Sequence, residues 1–157
     1  MQIDYLAARG EFLERLAQWH HQEWSYLRPG DTLEARTIRL RATCGRQNVP
    51  TVFVAFEKDE LLGSAMLIAH DMDTRLDLTP WLAGVFVRPD RRNKGLGSAL
   101  VQRVIEEAGT LRISRIHLYT PTQEQFYLRR GWSILERMHY RGVPVVVMTK
   151  EVLNQTQ

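Results

Sequence analysis

The sequence predicts an α/β protein, with a central mixed, mostly antiparallel sheet of about seven strands that is flanked on both faces by about four helices. Short runs rich in Val, Ile, Leu and Phe alternate with longer segments whose apolar residues recur at helical spacing. The predicted order is a strand, two helices, three strands, a helix, a strand, a helix and two strands. This order predicts a mixed sheet with helices on both faces.

The first third of the chain contains the first strand and two helices. Residues 3–5 indicate a short strand, and apolar side chains recur at helical spacing over residues 11–27. Asp31 followed by Glu34 is typical of a capping box, which begins a second helix that stops near Gly45. Both helices therefore precede most of the sheet.

The remaining segments supply most of the strands. Two apolar runs, residues 51–56 and 61–68, flank the charged turn 57–60 and predict a β-hairpin. After a polar loop, residues 82–87 predict a strand and residues 95–109 predict an amphipathic helix. The last predicted elements are a strand over residues 115–119, a short helix over 123–130, and strands over 132–140 and 143–149.

Length and composition limit the class of protein. A chain of 157 residues predicts one domain over residues 1–157. Hydrophobic residues make up 44% and charged residues 25%, which is ordinary for a globular protein and argues against a membrane partner. Cys44 is the single cysteine and lacks the neighbours of a zinc site, and no export signal is evident. We therefore expect a cytoplasmic protein with no bound metal.

The turn over residues 92–98 carries the strongest functional signal. It reads Arg-Asn-Lys-Gly-Leu-Gly-Ser, follows an apolar strand and precedes the amphipathic helix. A helix N-terminus has unpaired backbone N–H groups and the positive end of the helix dipole, and glycines let a ligand approach the backbone closely. We interpret the 92–98 turn as a binding site for a pyrophosphate group.

The spacing of this turn distinguishes between phosphate ligands. No glycine is followed by Lys and then Ser or Thr, so a P-loop is excluded. A dinucleotide fingerprint would need a small residue at Leu100 and an acidic residue within 115–120, and the chain has neither. The pattern Arg92-x-x-Gly95-x-Gly97 resembles the acetyl-CoA signature of the GNAT superfamily of N-acetyltransferases.

A second segment strengthens the resemblance. Residues 125–132 read Gln-Phe-Tyr-Leu-Arg-Arg-Gly-Trp and resemble the family's late helix, its tyrosine and the turn into the next strand. The strand over residues 115–119 lies between the two motifs, so the order over residues 82–132 matches the family pattern. The resemblance implies a GNAT-like splayed sheet, with acetyl-CoA as cosubstrate between the strands over 82–87 and 115–119.

The resemblance also implies roles for individual residues. Tyr127 matches the tyrosine that hydrogen-bonds the coenzyme A sulfur and acts as a general acid. The backbone N–H of Val85 or of its neighbours would polarise the acetyl carbonyl. The cofactor-binding residues that the resemblance implies are Val85, Phe86, Val87, Arg92, Asn93, Lys94, Gly95, Leu96, Gly97, Ser98 and Thr120.

The general base is less well defined. Some family members carry a glutamate near the start of the strand before the 92–98 turn, but residues 79–84 include no titratable side chain. The residues that could reach the acceptor channel or act through water are His70, Asp71, Asp73, His117 and His139. A group of N-terminal side chains suits either a pocket wall or the core: Trp19, His20, His21, Trp24 and Tyr26.

The sequence therefore predicts an N-acetyltransferase that moves the acetyl group of acetyl-CoA to a primary amine, on a small molecule or a peptide, by direct attack in a ternary complex. The alternative is a non-catalytic acyl-CoA sensor or interaction module, which the missing glutamate favours. The pI of about 9.3 permits nucleic-acid binding. However, Arg88, Arg91, Arg92 and Lys94 lie beside the predicted pyrophosphate site, so we expect no nucleic acid. The C-terminal edge strands could pair with those of a second chain, so a homodimer stays an alternative.

Overall fold

The structure is a computed structural model that describes residues 1–153. Its strands are β1 (Gln2–Tyr5), β2 (Thr51–Glu57), β3 (Glu60–Ile68), β4 (Trp81–Val87), β5 (Arg115–Thr120), β6 (Ser133–Tyr140) and β7 (Val143–Glu151). Its α-helices are α1 (Leu13–Trp24), α2 (Leu33–Ala42), α3 (Leu96–Thr110) and α4 (Glu124–Leu128). The element order is the one that the sequence predicts.

The strands form one sheet in the order β1-β2-β3-β4-β5-β7-β6. Every pair of neighbours is antiparallel except β4 and β5, which are parallel. Within the described residues, β4 and β5 pair only at Trp81 and His117. The predicted mixed, mostly antiparallel sheet is therefore confirmed, and it is splayed between β4 and β5.

Helices cover both faces of the sheet, and strand β2 shows why. Its residues Val52, Val54 and Phe56 belong to a buried cluster with apolar side chains of α1 and α2. Its residues Phe53 and Ala55 belong to the main core cluster with the apolar stripe of α3. Successive side chains of a strand point to opposite faces, so a continuous apolar run fits a strand that is buried on both.

The start of α2 differs from the prediction. Thr32, rather than Asp31, is the N-cap residue, and its Oγ1 accepts a hydrogen bond from the Ala35 N–H at 3.0 Å. The Asp31 carboxylate instead accepts hydrogen bonds from the Arg39 guanidinium. A threonine oxygen serves the cap equally well, which leaves the aspartate free to pair with cations of the same helix.

Gly63 determines how closely β3, β4 and α3 pack. A Cβ at this position would lie 2.5 Å from the Phe86 carbonyl oxygen and 3.1 Å from Leu100 Cδ1. The first of these atoms belongs to the backbone of β4 and cannot move aside alone. Any side chain at residue 63 would therefore push β4 or α3 outward.

We predict that Gly63→Ala lowers the free energy of unfolding by about 1–3 kcal/mol, the usual cost of overpacking. Urea denaturation followed by circular dichroism measures the change. Gly10→Ala is the control, because a Cβ there meets no atom within 4 Å, and we expect it to change stability by less than about 0.5 kcal/mol. Equal midpoints for wild type and Gly63→Ala would contradict the packing argument.

Candidate active site

A cavity of about 1300 Å³ opens where β4 and β5 separate. One half is lined by β4, the 92–98 turn, α4 and the end of β5. The other half, which we name the acceptor half, is lined by α1, α2 and the side chains of His70, Asp71, Tyr140 and Arg141. The volume exceeds the roughly 300–1,000 Å³ of typical small-molecule sites, so two ligands can bind side by side.

The 92–98 turn presents unpaired backbone donors to the first half. Among the described residues, the N–H groups of residues 93–98 have no hydrogen-bond acceptor, and α3 has no side-chain cap. Asn93 and Gly95 adopt left-handed conformations, with φ of 63° and 86°. Such a turn at a helix N-terminus forms a concave group of N–H donors that suits a phosphate oxygen. The geometry therefore fits the diphosphate of coenzyme A.

Most of the predicted cofactor residues line the cavity, and two do not. The residues on the wall are Val85, Phe86, Val87, Arg92, Asn93, Gly95, Gly97, Ser98 and Thr120. Lys94 is exposed and lies outside the wall. The Leu96 side chain is buried in the main core cluster, because the first turn of α3 packs onto the sheet. Only the backbone N–H of Leu96 is available to a ligand.

The cations near the turn are arranged differently from the prediction. Arg92 lies on the wall, with its Nε donating to the Val87 carbonyl oxygen at 2.8 Å and its guanidinium 5.4 Å from the centre of the Phe86 ring. Arg88 forms ion pairs with Asp90 and Glu60 and is not on the wall. Its charge is therefore compensated within the protein.

Sequence reasoning missed Arg130 as a site residue. Its Nε donates to Ser98 Oγ at 3.1 Å, its Nη1 donates to the Phe126 carbonyl oxygen at 2.8 Å, and its guanidinium stacks 3.6 Å from the Phe126 ring centre. These contacts fix a positive charge beside the start of α3. The signal in the sequence is the pair of arginines before Gly131, but only the fold brings them to the turn.

A bulge in β4 separates the two strands. The register between β3 and β4 shifts between Ser64 and Met66, and Gly84 has a φ of +58°. The Ser64 hydroxyl donates to the Gly84 carbonyl oxygen at 2.7 Å, so His20 Nε2, at 2.9 Å, donates to Ser64 Oγ. Burial lowers the pKa of His20 to about 3, which keeps the ring neutral. The bulge therefore has a fixed geometry, and the β5 side of β4 opens to the cavity.

Thr120 shapes the end of β5. Its buried Oγ1 accepts hydrogen bonds from the N–H groups of Thr122 and Gln123, at 3.3 and 2.9 Å. These bonds hold the loop that leads into α4. Thr120 thus acts on the cavity wall mainly by fixing the start of α4.

Tyr127 lies on α4 and lines the cavity, as the resemblance implies. The side chain is buried, and its ring makes edge contacts with Phe126 and Trp132 at centroid distances of 5.0 and 5.8 Å. Burial raises the pKa of Tyr127 well above its usual value, and the charge of Arg130 opposes this only partly. The hydroxyl therefore keeps its proton across the neutral pH range.

Of the acidic and histidine candidates for a base, Asp71 is placed best. It is half-buried on the wall of the acceptor half, and burial raises its pKa to about 7, against the opposing charge of Arg141. His70 also lies on the wall but is exposed. Asp73 is exposed and pairs with Arg141 at 2.9 Å. Asp71 is thus the carboxylate whose protonation changes near neutral pH.

The other two histidine candidates lie away from the wall. His117 is buried beside Trp81, with a ring-centroid distance of 5.8 Å, and its Nδ1 has no partner among the described residues. His139 is exposed on β6. The N-terminal group divides between pocket and core. His20, Trp24 and Tyr26 line the cavity, Trp19 packs against Phe86 at 5.5 Å, and His21 is half-buried away from the wall.

Asp31 organises the arginines of α2 at the acceptor half. Its carboxylate is 3% exposed and contacts Arg39 Nη1 at 3.0 Å and Arg36 Nη2 at 3.3 Å. The hydrogen bonds from Arg39 are the main cause that lowers the pKa of Asp31 to about 2. Both arginines line the cavity, so this carboxylate holds two cations in place at its wall.

Within residues 1–153, no group of three or more His, Cys, Asp and Glu side chains could hold a metal ion. No helix in that range combines the length and apolar character that crossing a membrane requires. Cys44 is half-buried with its thiol pKa raised by burial, which makes it a poor nucleophile.

Comparisons with known proteins agree with this geometry. A family model described as "Acetyltransferase (GNAT) family" matches residues 13–132. A comparison with curated proteins finds no match for the chain.

Several solved structures share the fold. An aminoglycoside 6'-N-acetyltransferase complexed with coenzyme A is 15% identical, with a TM-score of 0.76 and complete coverage of both chains. The aminoglycoside 6'-N-acetyltransferase from Enterococcus faecium is 16% identical, also with complete coverage, and has a TM-score of 0.73. A ribosomal-protein-alanine N-acetyltransferase from Brucella melitensis is 16% identical over 97% of this chain and 100% of its own, with a TM-score of 0.71.

We predict that Asp31→Asn lowers the free energy of unfolding by about 2–3 kcal/mol at pH 7, because a pKa depressed by nearly two units corresponds to that energy. The Asp31 contribution is complete above the unfolded pKa of about 4 and is lost as pH falls toward 2. Urea denaturation at a series of pH values between 2 and 7 should therefore show the two proteins converging at the acidic end.

Asp90→Asn is the matched control, since the Asp90–Arg88 pair is exposed and pairs of this kind contribute about 0–1 kcal/mol. A deficit of Asp31→Asn that stays constant across the pH series would contradict the assigned ion pair.

Proposed function

The chain belongs to the GNAT family of acetyltransferases and uses acetyl-CoA as its cosubstrate, and we propose that it acetylates a primary amine by direct attack in a ternary complex. One observation carries the proposal: a single cavity runs from the unpaired N–H groups of the 92–98 turn to the Asp71 carboxylate. A donor and an acceptor can therefore occupy it together.

We assign the cofactor half to the residues that surround the turn. The N–H groups of residues 93–98 would bind the diphosphate, with Arg92 and Arg130 supplying the nearest positive charge. Both guanidiniums are already held by protein contacts, so little side-chain freedom is lost on binding. A Cβ at Gly97 would make only ordinary van der Waals contacts, with Val87 and Phe126 at 3.5 and 3.6 Å, so the need for glycine there comes from the close approach of the bound diphosphate that we propose.

When bound, acetyl-CoA supplies a thioester whose acetyl carbon forms a bond with the amine nitrogen while the carbon–sulfur bond breaks. The open edge of β4 near Val85 is the source of backbone N–H donors for the acetyl oxygen. These groups are fixed by the bulge at Gly84, so they need no reorganisation as negative charge develops on that oxygen.

Asp71 is the proposed proton acceptor for the amine, and Tyr127 is the proposed donor to the sulfur. Asp71 above its pKa is a carboxylate, which accepts a proton from the incoming ammonium and so releases the neutral amine. Tyr127 keeps its own proton because burial raises its pKa. It is therefore a hydrogen-bond donor to the departing sulfur. The amine nitrogen loses one proton as it becomes an amide and the thiolate gains one to become the free thiol, so the Tyr127 hydroxyl is protonated again at the end of the transfer.

The structural neighbours are named for two kinds of acceptor, an aminoglycoside and the alanine of a ribosomal protein. Both are amines, which supports the amine class for this chain. The cytoplasmic location, the homodimer and the single domain stay predictions from the sequence.

Release of free thiol from acetyl-CoA in the presence of a panel of primary amines tests the proposal. Amine-dependent release supports transfer. Tight binding of acetyl-CoA without release for any amine would favour the alternative, an acyl-CoA sensor or interaction module.

We predict that Tyr127→Phe lowers kcat by about 10²-fold and leaves the affinity for coenzyme A nearly unchanged, because only the hydroxyl near the sulfur is removed. Thiol release measures kcat and calorimetry measures affinity. Tyr5→Phe is the control, since its hydroxyl contacts Glu107 outside the cavity. An unchanged kcat for Tyr127→Phe would remove the assigned role.

We predict that Asp71→Asn lowers kcat/KM by about 10²-fold and changes the pH profile. Asp71 is protonated below about pH 7 and charged above it, so wild-type activity should rise through pH 7. The pH profile of the variant should lack that step and should depend only on the ionisation of the acceptor amine. Asp73→Asn, a neighbouring carboxylate paired with Arg141, should retain the wild-type profile. A step at pH 7 that persists in Asp71→Asn would exclude Asp71 as the base.

A further inference from the structure

Arg36 on α2 has hydrogen-bonding capacity that the protein does not use. Its side chain is 16% exposed, and Nη2 lies 3.3 Å from Asp31. Its Nε is buried without a partner among the described residues. Its Nη1 makes no hydrogen bond with any described residue, and this atom is not fully buried. Since Arg36 lines the cavity, Nη1 is available to a ligand there.

The charges around Arg36 do not balance. The groups close enough to influence it are Asp31, Arg39, Arg28 and Tyr119. Asp31 is also bound to Arg39, so one carboxylate serves two guanidiniums, and Arg28 makes no ion pair among the described residues. Burial lowers the pKa of Arg36, which shows that its charge is poorly solvated. A buried cation in this state is stabilised by an anion.

The rest of the acceptor half has a different character. Asp71 and Tyr140 both lie close enough to Tyr119 to add to the rise that burial causes in the pKa of its phenol, and Trp24 and Tyr26 complete an aromatic lining. The acceptor half therefore presents a carboxylate for an ammonium, aromatic surface for an apolar body and the free edge of Arg36 for an anion.

We propose that the acceptor is an amine that also carries a carboxylate and an apolar body, as a hydrophobic α-amino acid does, and that Arg36 binds the carboxylate. A planar carboxylate matches the planar guanidinium, with Nη1 as the contacting donor. Polycationic acceptors, including aminoglycosides, are disfavoured by Arg28, Arg36 and Arg39. This inference rests on the proposed amine acetylation and specifies its substrate class.

Matched acceptor pairs test the proposal. Thiol release from acetyl-CoA is measured with L-phenylalanine, L-leucine and L-methionine, and with the amine that each would give on loss of its carboxylate, such as phenethylamine for phenylalanine. We expect at least one amino acid to exceed its decarboxylated partner by tenfold or more in kcat/KM, about 1.4 kcal/mol. Kanamycin and spermidine serve as polycationic probes and should be poor acceptors.

Variants assign the effect to Arg36. For the best amino acid, Arg36→Gln should lower kcat/KM by about 10²-fold through KM, the usual consequence of removing one member of a desolvated ion pair. The decarboxylated partner should change less than about threefold, and Arg36→Lys should fall between. Arg41→Gln is the control, since Arg41 is an exposed arginine of the same helix outside this cavity. Calorimetry with coenzyme A confirms that each variant is folded.

Binding of 3-phenylpropionate, a carboxylate without an amine, gives a readout that does not need transfer. Calorimetry in the presence of coenzyme A should show binding to wild type and at least tenfold weaker binding to Arg36→Gln. Three results would overturn the inference while the proposed acetylation stands. They are equal kcat/KM for the amino acids and their decarboxylated partners, a polycation as the best acceptor, and an equal loss of kcat/KM for both members of a pair in Arg36→Gln. Absence of thiol release with every amine would overturn the proposed function, and the 3-phenylpropionate result then decides the anion site alone.

Discussion

The separation of β4 from β5 is the constraint on which the whole site depends. Parallel neighbours ordinarily continue their hydrogen bonds along the strands, but these two pair at Trp81 and His117 and then diverge. The cause lies in the adjacent pair of strands, where the left-handed Gly84 and the shift of register bend β4. The Ser64 hydroxyl donates to the Gly84 carbonyl oxygen, so the bend does not leave that acceptor unpaired.

The same separation brings two kinds of donor to one cavity. The open edge of β4 provides backbone groups, and the N-terminus of α3 provides the unpaired N–H groups of the 92–98 turn. The position of α3 follows from tight packing on β3, where Gly63 leaves room for the Phe86 carbonyl and the Leu100 side chain. Core packing is therefore linked to the proposed diphosphate site, because the helix that fills the core also supplies the unpaired N–H groups of that site.

Two aspartates of the acceptor half show how environment divides the roles of identical side chains. Asp31 accepts hydrogen bonds from Arg39, and its pKa falls to about 2. Burial raises the pKa of Asp71 to about 7, and the charge of Arg141 opposes this only partly. One carboxylate is thus a permanent anion that holds cations, and the other can exchange a proton at neutral pH. On the assignment that we propose, Arg36 binds the carboxylate of the acceptor and Asp71 receives its ammonium group.

The sequence by itself determined the features that depend on neighbours along the chain. Periodicity located every strand and helix to within a few residues. The spacing of Arg92, Gly95 and Gly97 predicted the proposed diphosphate site, because a helix N-terminus is a local property. The motif over residues 125–132 also predicted that Tyr127 belongs to the site, and Tyr127 lines the cavity. The predicted capping box at Asp31 was wrong, because the Thr32 hydroxyl caps the helix and Asp31 pairs with Arg39 instead.

Only the tertiary structure decided which distant residues meet. It pairs Arg88 with Asp90 and Glu60, and it brings Arg130 to Ser98. It also places the His20–Ser64 hydrogen bond at the bulge and puts Asp71 and Arg36 on the wall of one cavity. Those properties depend on burial and on contacts between residues that are distant in the chain, which local patterns do not encode.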